Sequence, residues 1–337
     1  MKKILGIILS VVLTAAMFTF VACNTPEEKT ENVSISVVAP DGAPALSLAK
    51  LMHENNQFGA KFNYSIIDAT NITSHVTGAG EKADVALIPV NAASKILGSG
   101  NEYKGVAVVT HGNLYMLSKT DVAITKDNLS TLKGKTVAIV NIANVPGLTF
   151  KAMLKKYNVA YTEDEAEKSA ENVYLIGIGG TDVAPTLVNS VADYVVAPEP
   201  AVSTITAAKP IIKKVAALHD IYGAYPQAVM VVKASVLEKN KQLIKNMCSA
   251  MQENEQWIVE NPALAAQAVK NHLLEGLTAS FNENNTSENS VKGCNIKMKY
   301  FDAEEISVVN DYVTIVKSVN DKAVGAFTEN FFYDINK

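Results

Sequence analysis

Residues 84–96 read Asp-Val-Ala-Leu-Ile-Pro-Val-Asn-Ala-Ala-Ser-Lys-Ile, and residues 193–205 read Asp-Tyr-Val-Val-Ala-Pro-Glu-Pro-Ala-Val-Ser-Thr-Ile. Asp, Pro, Ala, Ser and Ile fall at the same offsets in both. Each copy puts an aspartate before four apolar residues and a proline after them, the pattern of a short buried strand, a loop and a helix start. A second echo sets Val37–Met52 on Ile139–Leu154, with Pro44 on Pro146 and Ser47 on Thr149. The order is the same in both copies: strand, Pro loop, helix, strand, helix, Asp-led strand, Pro loop, helix. Two α/β lobes built alike are expected to face each other across a cleft, with the loops after the strands pointing into it.

Around these anchors, short apolar runs alternate with helical patterns. Strands are predicted at 33–39, 62–67, 85–88, 106–110, 136–140, 173–178, 194–197 and 229–232, in mostly parallel sheets. Helices are predicted at 44–53, 145–157 and 182–191. After Lys233 the pattern is almost wholly helical, through 242–260, 262–272 and 303–319. The Asn- and Ser-rich stretch 280–290 reads as a surface loop. Trp257, the single tryptophan, falls on an amphipathic helix and is expected in the core.

The 337 residues carry 30 basic and 34 acidic side chains, and every basic one is lysine. A net charge of −4 provides no basic field for nucleic acid. The missing guanidinium removes the bidentate fork that proteins favour for carboxylates and phosphates.

The chain begins Met-Lys-Lys, and the nineteen residues from Ile4 to Ala22 carry no charge. A positive start followed by an apolar run is the layout of a secretory signal. Phe20-Val21-Ala22-Cys23 resembles a bacterial lipobox, with Phe20 where leucine is usual. That resemblance implies lipidation of Cys23, palmitate included, after removal of residues 1–22, and a tether over residues 23–32. The segment 1–22 holds two lysines and no acid, so without it the charge falls from −4 to −6. A retained membrane anchor is the alternative, since nineteen apolar residues can span a bilayer. Cys248 and Cys294 lie in a compartment that permits a disulfide, though two cysteines alone do not require one.

Enzyme signatures are missing: there is no phosphate-binding Walker loop, no Gly-x-Ser-x-Gly elbow and no His-Glu-x-x-His. The five histidines have no ligand spacing, so no metal site is expected. Gly177-Ile178-Gly179-Gly180-Thr181-Asp182 has Asp182 where a dinucleotide loop needs its third glycine, and no cofactor is expected. Helix starts carry more weight: Asp41-Gly42-Ala43-Pro44, Pro89-Val90-Asn91, Asn141 through Gly147, Gly179 through Asp182 and Pro198-Glu199-Pro200. Free N–H groups there suit an anionic or polar ligand, or are simply capped. Asp41 and Glu199 are either acceptors for a ligand or helix caps; Asn91, Asn141 and Asn144 are ambiguous in the same way. His111, Asn113 and Tyr115 stand at the expected crossing between lobes, and Tyr222 and Tyr225 at the return.

Together the lipobox-like start, the run from Gly42 to Leu51, Ala83–Leu87, Leu132–Ile139 and Ala192–Pro200 resemble the substrate-binding lipoproteins of ABC importers. They are most similar to the family of nitrate, taurine, alkanesulfonate and thiamine-precursor binders, over residues 33–332. The resemblance implies an α/β, two-lobe type II periplasmic-binding-protein fold that closes on a small molecule. Lobe 1 would comprise residues 33–115 and 223–337, and lobe 2 residues 116–222. The ligand-binding residues it implies are Asp41, Gly42, Ala43, Thr70, Asn71, Pro89, Asn91, His111, Asn141, Asn144, Val145, Gly147, Gly180, Thr181, Asp182, Glu199 and Tyr225. Ile142 and Val145 stand where alkanesulfonate binders tend to have small polar residues. Without arginine, a carboxylate gripped by guanidinium drops in rank. A flat heterocycle of the thiamine-precursor kind, or a sulfonate- or nitrate-like anion, rises.

The expected protein is a monomeric, extracytoplasmic, lipid-anchored receptor that serves an ABC permease and its ATPase. The alternatives are an enzyme on the same fold, resembling chorismate dehydratases or thiamine-pyrimidine synthases, and a lipoprotein receptor acting without transport.

Overall fold

The structure, a computed structural model, describes residues 33–55 and 58–337. The expected signal, Cys23 and the tether lie outside the described residues. Among the described residues, no helix is long and apolar enough to cross a membrane.

The strands, in chain order, are β1 (Ser34–Pro40), β2 (Lys61–Ile67), β3 (Val85–Pro89), β4 (Tyr103–His111), β5 (Leu114–Ser118) and β6 (Thr136–Val140). Then come β7 (Tyr161–Thr162), β8 (Val173–Ile178), β9 (Tyr194–Pro198), β10 (Lys213–Ala217), β11 (Pro226–Lys233) and β12 (Ile296–Tyr300). They form two six-stranded sheets, ordered β12-β4-β11-β3-β1-β2 and β10-β5-β9-β6-β8-β7. The two orders match strand for strand over β4-β11-β3-β1-β2 and β10-β5-β9-β6-β8. The chain is therefore two α/β lobes built alike, as the internal echo predicts.

The sheets are more mixed than expected. β11 runs antiparallel between β3 and β4, and β5 runs antiparallel between β9 and β10. In each lobe the inverted strand follows a crossing from the other lobe. Only Gly112 and Asn113 separate β4 from β5, so the chain leaves one sheet and enters the next at the same edge. The ends of β1–β4 must therefore face the ends of β6, β8, β9 and β10. That topology makes the cleft.

The repeated aspartates have a shared structural role. Asp84 Oδ2 accepts the Ser36 N–H at 2.9 Å while its own N–H donates to Ser36 O at 3.1 Å. Asp193 Oδ2 accepts the Thr136 N–H at 2.9 Å, and its N–H donates to Thr136 O at 2.9 Å. Each clamps the start of the neighbouring parallel strand, β1 in the first lobe and β6 in the second. Register pairs Val37 with Val85 and Val137 with Tyr194, so Val37 corresponds to Val137. The echo aligning Val37 with Ile139 thus holds for the helices but slips by two residues in the strand. The extra length lies in the loop from Asn141 to Asn144.

One apolar cluster runs through both lobes, joining Ile88 and Val108 of the first sheet to Met116, Leu148 and Phe150 of the second. Helix Ala303–Val319 lies on helix Val145–Lys156, where Thr149 Oγ1 and the Tyr312 hydroxyl are 2.7 Å apart and both residues are buried. Tyr312 also stacks on Tyr225 with centroids 6.0 Å apart. The helix predicted at 44–53 is two helices, Ala43–Leu46 and Ala49–Glu54, with Ser47 Oγ donating to Pro44 O at the break. Cys248 and Cys294 are both free and buried, so they form no disulfide. Trp257 is half-buried at the margin of the first lobe's core, against His53.

Candidate functional site

On the first lobe, Asp41 ends the turn after β1. Its Oδ1 accepts the Gly42 N–H at 2.9 Å, and its Oδ2 accepts both the N–H and hydroxyl of Ser280 at 2.7 Å. Its lone pairs are thus taken up largely within the chain, and Ala43 beside it is buried. Asp68 caps a 3-10 turn through Thr70, whose hydroxyl and N–H hold the carboxyl below the usual range. Thr70 and Asn71 are exposed. Pro89 and Asn91 flank the start of helix Val90–Ile96, and Asn91 Oδ1 is buried without a hydrogen-bond partner.

On the second lobe, Asn141 adopts φ 54 and its carbonyl accepts the Asn144 N–H at 2.9 Å. Asn144 is the N-cap of the twelve-residue helix Val145–Lys156, yet its side chain makes no capping bond. Val145 is buried, whereas Asn141 and Asn144 are exposed. Gly147 is required there: a Cβ would lie 1.8 Å from Ile142 O, so the helix approaches its own entry loop too closely for any side chain. Gly180, Thr181 and Asp182 form an exposed turn in which Asp182 Oδ2 accepts the Gly179 N–H at 3.2 Å. Asn141, Asn144, Gly179 and Asp182 line an open groove of about 590 Å³, together with Ile142 and Thr186.

Two expected residues sit deeper. Glu199 is 4% exposed, and its carboxylate accepts the Ser203 N–H at 3.0 Å and the Ser203 hydroxyl at 2.9 Å. Burial pushes its carboxyl up, against the opposing pull of those bonds and of Lys214. It therefore caps its own helix. Tyr225 is wholly buried against Tyr222 and Tyr312 and presents no ring face to solvent.

The crossings carry buried polar pairs. His111, also buried, meets Glu305 Oε1 at 3.2 Å through Nε2, and Lys299 Nζ lies 3.4 Å from Glu305 Oε2. Its Nδ1 is buried without a partner. Asn113 and Gln227 pair across the two crossings: the Asn113 N–H donates to Gln227 Oε1 at 3.2 Å and Gln227 Nε2 donates to Asn113 Oδ1 at 2.7 Å. Sequence reasoning missed Gln227, because a lone glutamine after Tyr-Pro carries no periodic signal. It also missed Ser280. No group of three or more His, Cys, Asp and Glu able to hold a metal ion occurs among the described residues.

Solved structures share the fold. The chain superposes on an ABC transporter protein from Parabacteroides distasonis with TM-score 0.70 at 16% identity, covering 90% of this chain and 99% of that one. The periplasmic aliphatic sulphonate binding protein SsuA from Escherichia coli matches with TM-score 0.66 at 12% identity, over 89% of this chain and 92% of that one. The ligand-binding component of an ABC-type import system from Staphylococcus aureus, solved with zinc bound, gives 0.59 at 12% identity, over 90% and 97%. At these identities what is shared is the two-lobe fold. No curated protein matches the sequence. Residues 66–265 match the NMT1/THI5-like family, and the chain belongs to that family.

Proposed function

We propose that this chain is the solute-binding component of an ABC importer, exported and lipid-anchored through Cys23, and not an enzyme. In this reading residues 33–113 and 223–337 form one lobe and residues 114–222 the other, two residues earlier than the expected boundary because β5 starts at Leu114 in the second sheet, and the cleft delivers its ligand to a membrane permease. The observation that carries it is the two-residue crossing at Gly112-Asn113, which turns the loop-bearing edges of two like sheets toward each other. Two solved proteins of this fold named as ABC-transport components, and one named as a periplasmic sulphonate binding protein, support the same reading.

The residues nearest to ligand recognition are Thr70, Asn71 and Asn91 on one side and Asn141, Asn144, Thr181 and Asp182 on the other. Amides and hydroxyls at helix starts, with backbone N–H groups beside them, suit a small polar heterocycle or an oxyanion. Asp41 and Glu199 serve as acceptors within the chain, and His111 and Tyr225 pack at the crossings.

Mass spectrometry of small molecules released from protein purified without denaturation tests the reading. A stoichiometric small molecule is the expected result. Turnover of chorismate, or of a pyrimidine precursor, by the purified protein would overturn it in favour of an enzyme.

A further inference from the structure

Between helix Pro262–Asn271 and β12 the chain makes an excursion that neither lobe's sheet requires. Its apolar anchors, Phe281, Val291 and Cys294, are buried in the first lobe's core. Asparagine turns stiffen it: Asn285 Nδ2 donates to Ser280 O at 2.8 Å, and Ser290 Oγ donates to Asn285 O at 3.0 Å. One end is pinned to Asp41 through Ser280. The other end, helix Glu288–Gly293, lies against helix Ala201–Ala208 of the second lobe. There the Tyr115 hydroxyl donates to Gly293 O at 2.8 Å. A Cβ on Gly293 would stand 2.9 Å from Glu199 Cγ and Oε1, so a glycine is what permits the close seating.

We propose that residues 280–294 form a latch that grows from the first lobe, seats on Tyr115 and Glu199 of the second, and holds the two lobes at their resting separation. The asymmetry of its attachments is the reason. The first-lobe end is an apolar core contact, costly to open. The second-lobe end rests on one hydrogen bond and a close polar contact, which fluctuations open readily. A single arm of this kind biases lobe movement without preventing it. It also takes up the Asp41 carboxylate through Ser280.

The test places nitroxide labels at Lys61→Cys and Ala166→Cys, exposed positions on opposite lobes, and measures their separation by pulsed electron resonance without added ligand. Tyr115→Phe keeps the ring and deletes the bond; Gly293→Ala forces the helix off Glu199. Both variants are expected to broaden the distance distribution toward longer separations. Amide exchange over residues 288–295 should speed up about 2- to 10-fold, the equivalent of one lost hydrogen bond. Faster exchange with an unchanged distance distribution would overturn the proposal, leaving the segment a local cover of the first lobe. No change in either measurement would overturn it too. If Gly293→Ala misfolds, Tyr115→Phe alone decides. The distance is read on protein stripped of any co-purified small molecule, so its failure leaves the receptor reading untouched.

Discussion

Removing the bond between Thr149 and Tyr312 tests how the lobes are joined. The two oxygens are 2.7 Å apart between helix Val145–Lys156 and helix Ala303–Val319, and both residues are buried. Tyr312→Phe deletes one partner and leaves the Thr149 hydroxyl unsatisfied in an apolar setting, at a cost of about 1–3 kcal/mol. Thr149→Val, close to isosteric, strands the Tyr312 hydroxyl at a similar cost. The double variant has no stranded group, so its loss should fall short of the sum by about 1 kcal/mol. For a chain of this size each kcal/mol lowers the melting temperature by roughly 2–4 °C. Urea unfolding should be followed by circular dichroism, which reports both lobes, and by fluorescence of Trp257, which reports the first. Burial pushes the Tyr312 phenol well above its usual range, so the coupling should not change between about pH 5 and about pH 9. Additivity within about 0.3 kcal/mol would refute the reasoning, and the Thr149–Tyr312 contact would then add nothing beyond the apolar packing around it.

Asp84→Ala should cost about 2–3 kcal/mol and Asp193→Ala about 1 kcal/mol by chemical denaturation, because Asp84 also accepts from Ser36 Oγ and Lys233 Nζ and is the better shielded of the two. Glu199 has its carboxyl raised by burial, so its contribution to stability is complete below the ordinary glutamate value of 4.5 and is lost as pH rises through the raised value. Glu199→Gln should therefore flatten the fall in urea midpoint across that window, and an unchanged pH profile would contradict the burial argument. Asn141 holds φ 54, so Asn141→Ala should lower apo stability by about 1 kcal/mol from backbone strain, whereas Asn141→Gly should spare it. Once a ligand is in hand, both variants and Asn91→Ala should weaken its binding by about 1–3 kcal/mol in titration calorimetry.

Strand β6 lies where its apolar run placed it, because a strand covered on both faces has no polar position to blur the pattern, and β8, apolar along its length though only alternately buried, was placed as well. The Asp-led strands were equally legible, since the aspartate that starts each one clamps its neighbour's backbone. By contrast, β5, β7, β10 and β12 were missed. Leu114–Ser118 is as buried as any strand, but it follows β4 after two residues and merges with it in the sequence pattern. Lys213–Ala217 is an edge strand with exposed lysines and little alternation to read. For the candidate site, the loops were legible as helix starts, because proline, glycine and asparagine mark them. Which side chains point outward was not, since Asp41 and Glu199 find their partners at Ser280 and Ser203.

The sequence by itself determined that two like α/β units exist and where their loop-bearing strand ends fall, because strand period, turn residues and the repeated aspartate are local properties of the chain. Only the tertiary structure decided that the crossing at Gly112-Asn113 is what brings the expected loop edges face to face, that Asn113 pairs with Gln227 and that residues 280–294 reach across to Tyr115. Each of those depends on strand direction at a crossing and on contacts more than a hundred residues apart in sequence, which no local pattern encodes.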